Sequence, residues 1–204
     1  MYLYDVKIGL EVAMTIFLIL APYGAFAFLM MVASAPVSLF TSAAVCLALM
    51  AYDAWHARSI KILGVGSVVT FAATGAYVCL IDPALSASAV RFAVDTGIFL
   101  VTLFSILIRY PFTLQYALEV TDAETAKLPA FIRANYVITW AWAAAMLLMM
   151  IGNAAMIYVP WLPFWGGLIV AFAARNLAVY FTKWYPEHQK AKYGAPPAHA
   201  LPRS

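Results

Sequence analysis

Apolar positions along this chain gather into six long runs separated by short polar connections, at roughly residues 8–32, 37–55, 60–81, 88–108, 135–159 and 161–182. Each run is near the roughly 20 residues that a helix needs to cross about 30 Å of hydrocarbon, and none shows the ten-residue alternation of a membrane β-strand. The pattern predicts an all-α, polytopic membrane protein with six transmembrane helices. Three connections are short and rich in Pro or small residues: Ala33-Ser34-Ala35-Pro36, Asp82-Pro83-Ala84-Leu85 and Val159-Pro160-Trp161-Leu162-Pro163. Pro at such points ends one helix and permits the next, so the runs read as three antiparallel hairpins. The two halves of the chain show no convincing internal repeat.

The connection from Arg109 to about Ala134 is longer. Phe112, Leu114, Tyr116, Leu118 and Val120 interleave with Thr113, Gln115, Glu119 and Thr121, and an acidic patch of Asp122 and Glu124 follows. Pro111 is suited to start a short helix lying among lipid headgroups with its aromatic rings as anchors. The near period-two alternation argues against that helix and leaves an irregular surface loop or re-entrant loop open. After Tyr185 the chain turns polar and then Pro- and Ala-rich. Residues 1–185 therefore read as the membrane domain, 109–134 as its interfacial loop, and 186–204 as a tail that stays extended unless a partner holds it.

Charge placement gives the orientation. Of 12 Lys and Arg residues, ten lie on one side: Lys7, Arg58, Lys61, Arg109, Lys127, Arg133, Lys183, Lys190, Lys192 and Arg203. Short loops rich in these residues stay in the cytoplasm, which places both termini there. The first run is too long for a signal-peptide core and lacks a clear cleavage site, so it reads as a retained span. Composition agrees: 66% of residues are hydrophobic and 10% charged, with a mean hydropathy of +0.89. A soluble domain is nearer half apolar and a quarter charged. The net charge of +3 follows from topology and gives no support to a nucleic-acid partner.

Ionisable residues inside apolar runs carry the best clues to function, because hydrocarbon resists them. Glu11 lies about a turn inside span one, Asp53 ends span two, Arg133 and Asn135 open span five, and Arg175 and Asn176 lie about two turns from the end of span six. Counted at about 1.5 Å per residue, all approach the inner leaflet. The sequence predicts a polar cluster there, with Glu11 and Asp53 pairing with Arg133 and Arg175 beneath the 109–134 loop. Read functionally, this is a cytoplasm-facing pocket for an anionic headgroup or small solute. The structural alternative has most of these residues snorkelling, with one acid neutralising Arg175 to fix helix packing. Arg91 and Asp95 share a helix face near the start of span four and read as a local ion pair. The span centres otherwise hold only Ser, Thr, Tyr, Gly and Asn153, which argues against a multi-step proton relay.

Catalytic and cofactor motifs are missing from the sequence. It contains no Cys-x-x-Cys, Gly-x-Ser-x-Gly, phosphate-binding loop or His spacing for haem or zinc, so neither a cofactor nor a metal is expected. Cys46 and Cys79 fall at different depths and read as inert buried thiols. His56 reads as interfacial, and His188 and His199 as solvated. Gly64, Gly66, Ser67, Gly75, Gly166 and Gly167 are expected to permit close helix approach. Trp55, Trp161, Trp165 and Trp184 fit interfacial belts, while Trp140 and Trp142 sit deeper and read as core packing, with the lining of a groove as the alternative.

Two stretches carry a family resemblance. Arg109-Tyr110-Pro111-Phe112-Thr113-Leu114-Gln115, and Leu128-Pro129 followed by Asn135-Tyr136-Val137-Ile138-Thr139-Trp140-Ala141-Trp142, resemble the intracellular septation protein A family of bacterial inner-membrane proteins. Asn153 falls where that family tends to have Asn. The likeness covers about residues 50–185 as an order of hydrophobic segments, while the first span, the Thr121–Lys127 acidic insert and the tail depart from it. The resemblance implies a protein of cell-envelope synthesis or division that acts through protein contacts.

The leading expectation is a non-enzymatic scaffold or accessory subunit. Its contact surface would be Arg109, Pro111, Phe112, Gln115, Tyr116 and Glu119 together with the tail, and its partners membrane lipids and either another protein or a second copy of itself. A small carrier or lipid-binding protein using Glu11, Asp53, Arg133, Asn135, Arg175 and Asn176 is the alternative. A lipid-directed enzyme is a third, since interfacial acids can serve as acid or base without a readable motif.

Overall fold

The computed structural model describes residues 19–159, 161–163 and 165–193, and every regular element among them is a helix. In chain order these are α1 (Ile19–Val32), α2 (Ala35–Trp55), α3 (Ile62–Leu80), α4 (Ala87–Leu107), α5 (Phe112–Val120), α6 (Ala123–Ala126), α7 (Pro129–Tyr158) and α8 (Trp165–Tyr193). Five of them, α2, α3, α4, α7 and α8, are long and apolar enough to cross a membrane. The chain is thus built as a multi-pass α-helical membrane protein. The start of the first expected span, including Lys7 and Glu11, lies outside the described residues, as do Pro160 and the tail from 194 with His199.

The radial distribution of side chains fits a lipid surround. Phe28, Leu47, Val69, Leu100, Leu148 and Phe172 point outward, whereas Ser38, Ser42, Ser67, Thr102, Ser105 and Thr139 are buried. Cys79 and Trp140, expected in the interior, also face outward, while Cys46 is buried as expected. Against lipid tails no hydrophobic force drives helices together, so small and polar residues make the contacts. The buried hydroxyls are satisfied within their own helices or across helix contacts: Ser42 donates to the Ser38 carbonyl at 2.7 Å and Ser67 to Leu63 at 2.6 Å, while Thr113 of α5 shares a 2.7 Å bond with Thr139 of α7. Close approach of α3 and α4 depends on a reciprocal pair of glycines. A Cβ on Gly66 would collide with the Val101 side chain, and one on Gly97 with Thr70.

Helices pack in the order α2 on α3, α3 on α4, α4 on α7 and α7 on α8. The described part of α1 sits against α3, where Phe26 and Tyr23 both meet the Phe71 ring at 5.4 and 6.0 Å. One end of the bundle carries Arg58, Lys61, Arg109, Lys127 and Arg133 and is called the basic end below. There α2 and α4 terminate alike. Ala57 and Arg109 adopt left-handed φ values of 53° and 59°. The following amides of Arg58 and Tyr110 bond back to the Asp53 and Ser105 carbonyls at 2.9 and 3.0 Å. These are Schellman closures made without the usual glycine.

Residues 112–120 form a short helix after Pro111, one of the two readings the sequence left open, and bury Phe112, Leu114 and Gln115. Two expectations are corrected at this end. Helix α7 begins at Pro129 rather than near Asn135, since Pro suits the first helical turn. Helix α8 runs on to Tyr193 through Pro186, so the extended tail does not start at 186. Across that proline, Phe181 stacks on Tyr185 and Trp184 on His188 at 5.2 and 4.7 Å. These i,i+4 contacts support the turn that Pro186 weakens.

Candidate functional site

Two polar clusters occupy the described interior. The first lies at the basic end, where α5 folds back against the start of α3. Gln115 fixes that fold: its Oε1 accepts from the Ile62 amide at 2.8 Å and its Nε2 donates to the Tyr110 carbonyl at 3.2 Å. Thr113 donates to the Asn135 carbonyl at 2.8 Å, tying α5 to α7. Lys61 then sits beneath α5, its side chain only 5% exposed, with Nζ 2.7 Å from Asp53 and 2.9 Å from Glu119. The Ser59 carbonyl at 3.3 Å takes its third hydrogen and the Tyr116 ring lies 5.3 Å away. Burial holds the Tyr116 hydroxyl above the usual phenol range, reinforced by Tyr23, Asp53 and Glu119. Arg58, half exposed, adds a 3.8 Å contact to Asp53. This cluster lines a pocket that reaches inward past Cys46 to Tyr23 and Ser67.

The second cluster lies deep between α1, α4, α7 and α8. Asp95 is eight residues into α4 and Arg175 ten residues into α8, about 12 and 15 Å along helices that start at the same end of the bundle. Asn153 of α7 donates from Nδ2 to Asp95 Oδ2 at 2.7 Å. Asp95 and Arg175 line a shared cavity of about 60 Å³, walled by Tyr23, Phe26, Ile98, Phe112, Trp142, Met146 and Met149. Trp142 is held by its indole N–H donating to Thr182 at 3.0 Å and by the edge of Phe112 at 6.5 Å. Among the described residues the Arg175 side chain makes no hydrogen bond and no ion pair. A guanidinium offers five donors in a planar fork suited to a carboxylate or phosphate.

The cluster expected from the sequence is therefore divided. Asp53 pairs with Lys61 and Arg58, not with Arg133 or Arg175. Arg133 and Asn176 are exposed, and Asn176 donates to its own helix at the Phe172 carbonyl, 2.7 Å away. Asn135 is buried but spends its amide on the Phe131 carbonyl at 3.0 Å. Glu11 is outside the described residues. Among the described members of the expected group Arg175 alone lines the deep cavity, and its acidic neighbour there is Asp95. The local Arg91–Asp95 ion pair does not form among the described residues: Asp95 accepts from Asn153, while Arg91 lines a groove at the far end with Met30, Met31 and Met156. Of the expected loop contacts, Pro111, Phe112 and Gln115 are buried, Tyr116 lies over Lys61 and Glu119 is engaged with it, leaving Arg109 on the outside.

Sequence reading missed Lys61, Asp95 and the placing of Arg175. The signal for the last two was present: both lie eight to ten residues beyond helix starts at the same end. Side chains of a helix also tilt toward its N-terminus, which aims Arg175 up toward Asp95 and away from the basic end. Among the described residues no group of three or more His, Cys, Asp or Glu is arranged to hold a metal. Comparison of the chain with protein-family models, with curated proteins and with solved structures finds no match.

Proposed function

We propose that this chain is a bacterial inner-membrane protein, crossing the bilayer six times with both termini cytoplasmic, that binds a small anion inside its bundle and acts as a carrier. One observation carries the reading: Arg175, mid-helix and half-buried, faces a cavity and makes no hydrogen bond or ion pair among the described residues. A charge at that depth is costly unless something pairs with it. Asp95 shares the cavity without an ion pair and is committed to Asn153. The unused planar donor fork of Arg175 favours an anionic ligand. The walls are aromatic and thioether-lined, and a volume of about 60 Å³ suits a few waters or an anion of a few heavy atoms. A short monocarboxylate, with one charged end and one apolar end, matches both features.

Thermal unfolding in mild detergent tests this at constant ionic strength. Acetate or propionate should raise the midpoint of the native protein, through a stabilisation of about 2.7 kcal/mol at a hundredfold excess over Kd. Arg175→Lys should keep part of that shift and Arg175→Gln should lose it while still unfolding cooperatively. A ligand shift that survives Arg175→Gln, or the lack of any shift in the native protein, overturns the proposal.

A second reading, an accessory or scaffold subunit of the kind implied by the resemblance to the septation protein A family, rests on the arm of α8. Phe181, Trp184, Tyr185 and His188 form a stacked aromatic ladder there, with Trp184 39% exposed. It predicts that a partner co-purifies with the native chain and is lost on Trp184→Ala. A chain that purifies alone from gentle extraction speaks against it.

A further inference from the structure

The pocket at the basic end and the Arg175 cavity are separated by a thin partition, and three residues belong to the walls of both: Ile19, Tyr23 and Leu63. Of these only Tyr23 has a polar tip. Its hydroxyl is hydrogen-bonded to Ser67 Oγ, and Ser67 has already given its single hydrogen to the Leu63 carbonyl at 2.6 Å. Tyr23 is therefore the donor. Among the described residues this is the one side-chain hydrogen bond that ties α1 to another helix. Its ring otherwise rests on Phe71, an apolar contact that tolerates sliding better than a directional bond does. The groove at the other end, lined by Met30, Ser86, Arg91 and Met156, shares no residue with the Arg175 cavity. Among the described residues access is thus asymmetric: Tyr23, Ile19 and Leu63 alone divide the cavity from the basic-end pocket, whereas the far groove and the cavity have no wall in common.

Building on the anion-site reading, we propose that Tyr23 is the gate of that site. A small anion passes from the basic-end pocket into the Arg175 cavity when the Tyr23–Ser67 bond opens. The pocket suits a vestibule: Arg58 and Lys61 flank its mouth, Lys61 held by Asp53 and Glu119 so that it does not trap the anion. Ser67 then offers the vestibule side a hydroxyl that can rotate to meet the ligand when Tyr23 swings away.

Side-resolved thiol labelling tests the gate in the full-length chain in membrane vesicles. Cys46 and Cys79 are replaced by Ser and Ala, and a single reporter is placed in the cavity wall as Ala145→Cys. A separate Ala123→Cys variant, on exposed α6, marks the side on which the basic end lies. Sulfonatoethyl methanethiosulfonate, a small membrane-impermeant anion, is added to one side at a time. Ala145→Cys should react from the side of Ala123→Cys and not from the other. Tyr23→Phe, which keeps the ring and removes the donor, should speed that reaction about fivefold, the change allowed by losing one net hydrogen bond. Ser67→Ala removes the same bond from the other partner and should give a similar acceleration, with the double variant no faster than either single one. Reaction from the opposite side, or rates that ignore both substitutions, overturns the gate.

The gate and the anion site fail separately. Protection of Ala145→Cys by propionate, abolished by Arg175→Gln, upholds the site even where the labelling side refutes the gate. Side-selective, Tyr23-dependent labelling without propionate protection upholds the gate and sinks the monocarboxylate site.

Discussion

Lys61→Met is the most exacting test of the basic-end architecture. The ammonium is 5% exposed and meets Asp53 at 2.7 Å and Glu119 at 2.9 Å, with those carboxylates 22% and 20% exposed. Methionine keeps most of the stem volume and removes the charge, leaving two carboxylates facing each other. Breaking a fully buried ion pair costs about 3–5 kcal/mol, mainly through the stranded charge. Partial hydration of both acids, and Arg58 at 3.8 Å from Asp53, reduce this to about 3 kcal/mol. For a chain of this size each kcal/mol moves the midpoint by about 2–4 °C, so a loss of about 6–12 °C is expected in detergent. Asp53→Asn and Glu119→Gln each leave Lys61 one acid and should cost about 1 kcal/mol. Combining all three substitutions removes every stranded charge and should restore more than half the loss. A Lys61→Met midpoint within about 2 °C of native, less than the shift of a single kcal/mol, overturns the ion-pair account, and so does a triple variant no better than the single one.

Gly66→Ala and Gly97→Ala should each destabilise the α3–α4 contact by about 1–3 kcal/mol through overpacking, because the added carbons would collide with Val101 and Thr70; detergent melting measures it. Ala57→Gly should stabilise by up to about 1 kcal/mol, since it relieves a left-handed alanine at φ 53°. At Asp122, bonds from the Thr125 and Glu124 amides hold the carboxyl below its usual value. Its capping of α6 is therefore complete above the ordinary Asp range and lost as pH falls below it. Protection of the backbone amides across 123–126, taken relative to the intrinsic exchange rate at each pH, should fall in acid and lose that pH dependence in Asp122→Ala.

The long helices were legible because lipid imposes one rule along the whole chain. Expected spans at 37–55, 60–81 and 88–108 match α2, α3 and α4 within two residues at either end. Boundaries failed where local chemistry overrode hydropathy. Pro129 starts α7 six residues before the apolar run, and the aromatic contacts of Phe181 to His188 carry α8 beyond its apolar stretch. In α5 a near period-two string of apolar residues weakened the reading of a helix from Pro111, because Tyr116 and Leu118 are only partly buried while Gln115 points inward. The site was half legible. Arg175 stood out by depth, but its neighbours depend on which helices face one another, and the sequence carries no signal for that pairing. Lys61 looked like an ordinary loop cation until α5 was placed over it.

Charge balance separates the two clusters by role. At the basic end Asp53 and Glu119 offset Lys61 and Arg58, so that group is complete in itself. In the deep cavity the two charged lining residues, Asp95 and Arg175, share no ion pair among the described residues. If Asp95 is a competitor for Arg175, then Asp95→Asn should tighten monocarboxylate binding. The amide oxygen of the substituted side chain can still accept from Asn153, so the 2.7 Å bond has a replacement and the fold is preserved. Removing even about 1 kcal/mol of attraction between Asp95 and Arg175 should raise affinity about fivefold. If Arg175 instead serves only packing, with Asp95 as its structural counter-charge, the same substitution strands the guanidinium and lowers the midpoint by several degrees with no gain in binding. Isothermal titration with propionate beside a melting curve distinguishes the two outcomes in one protein preparation.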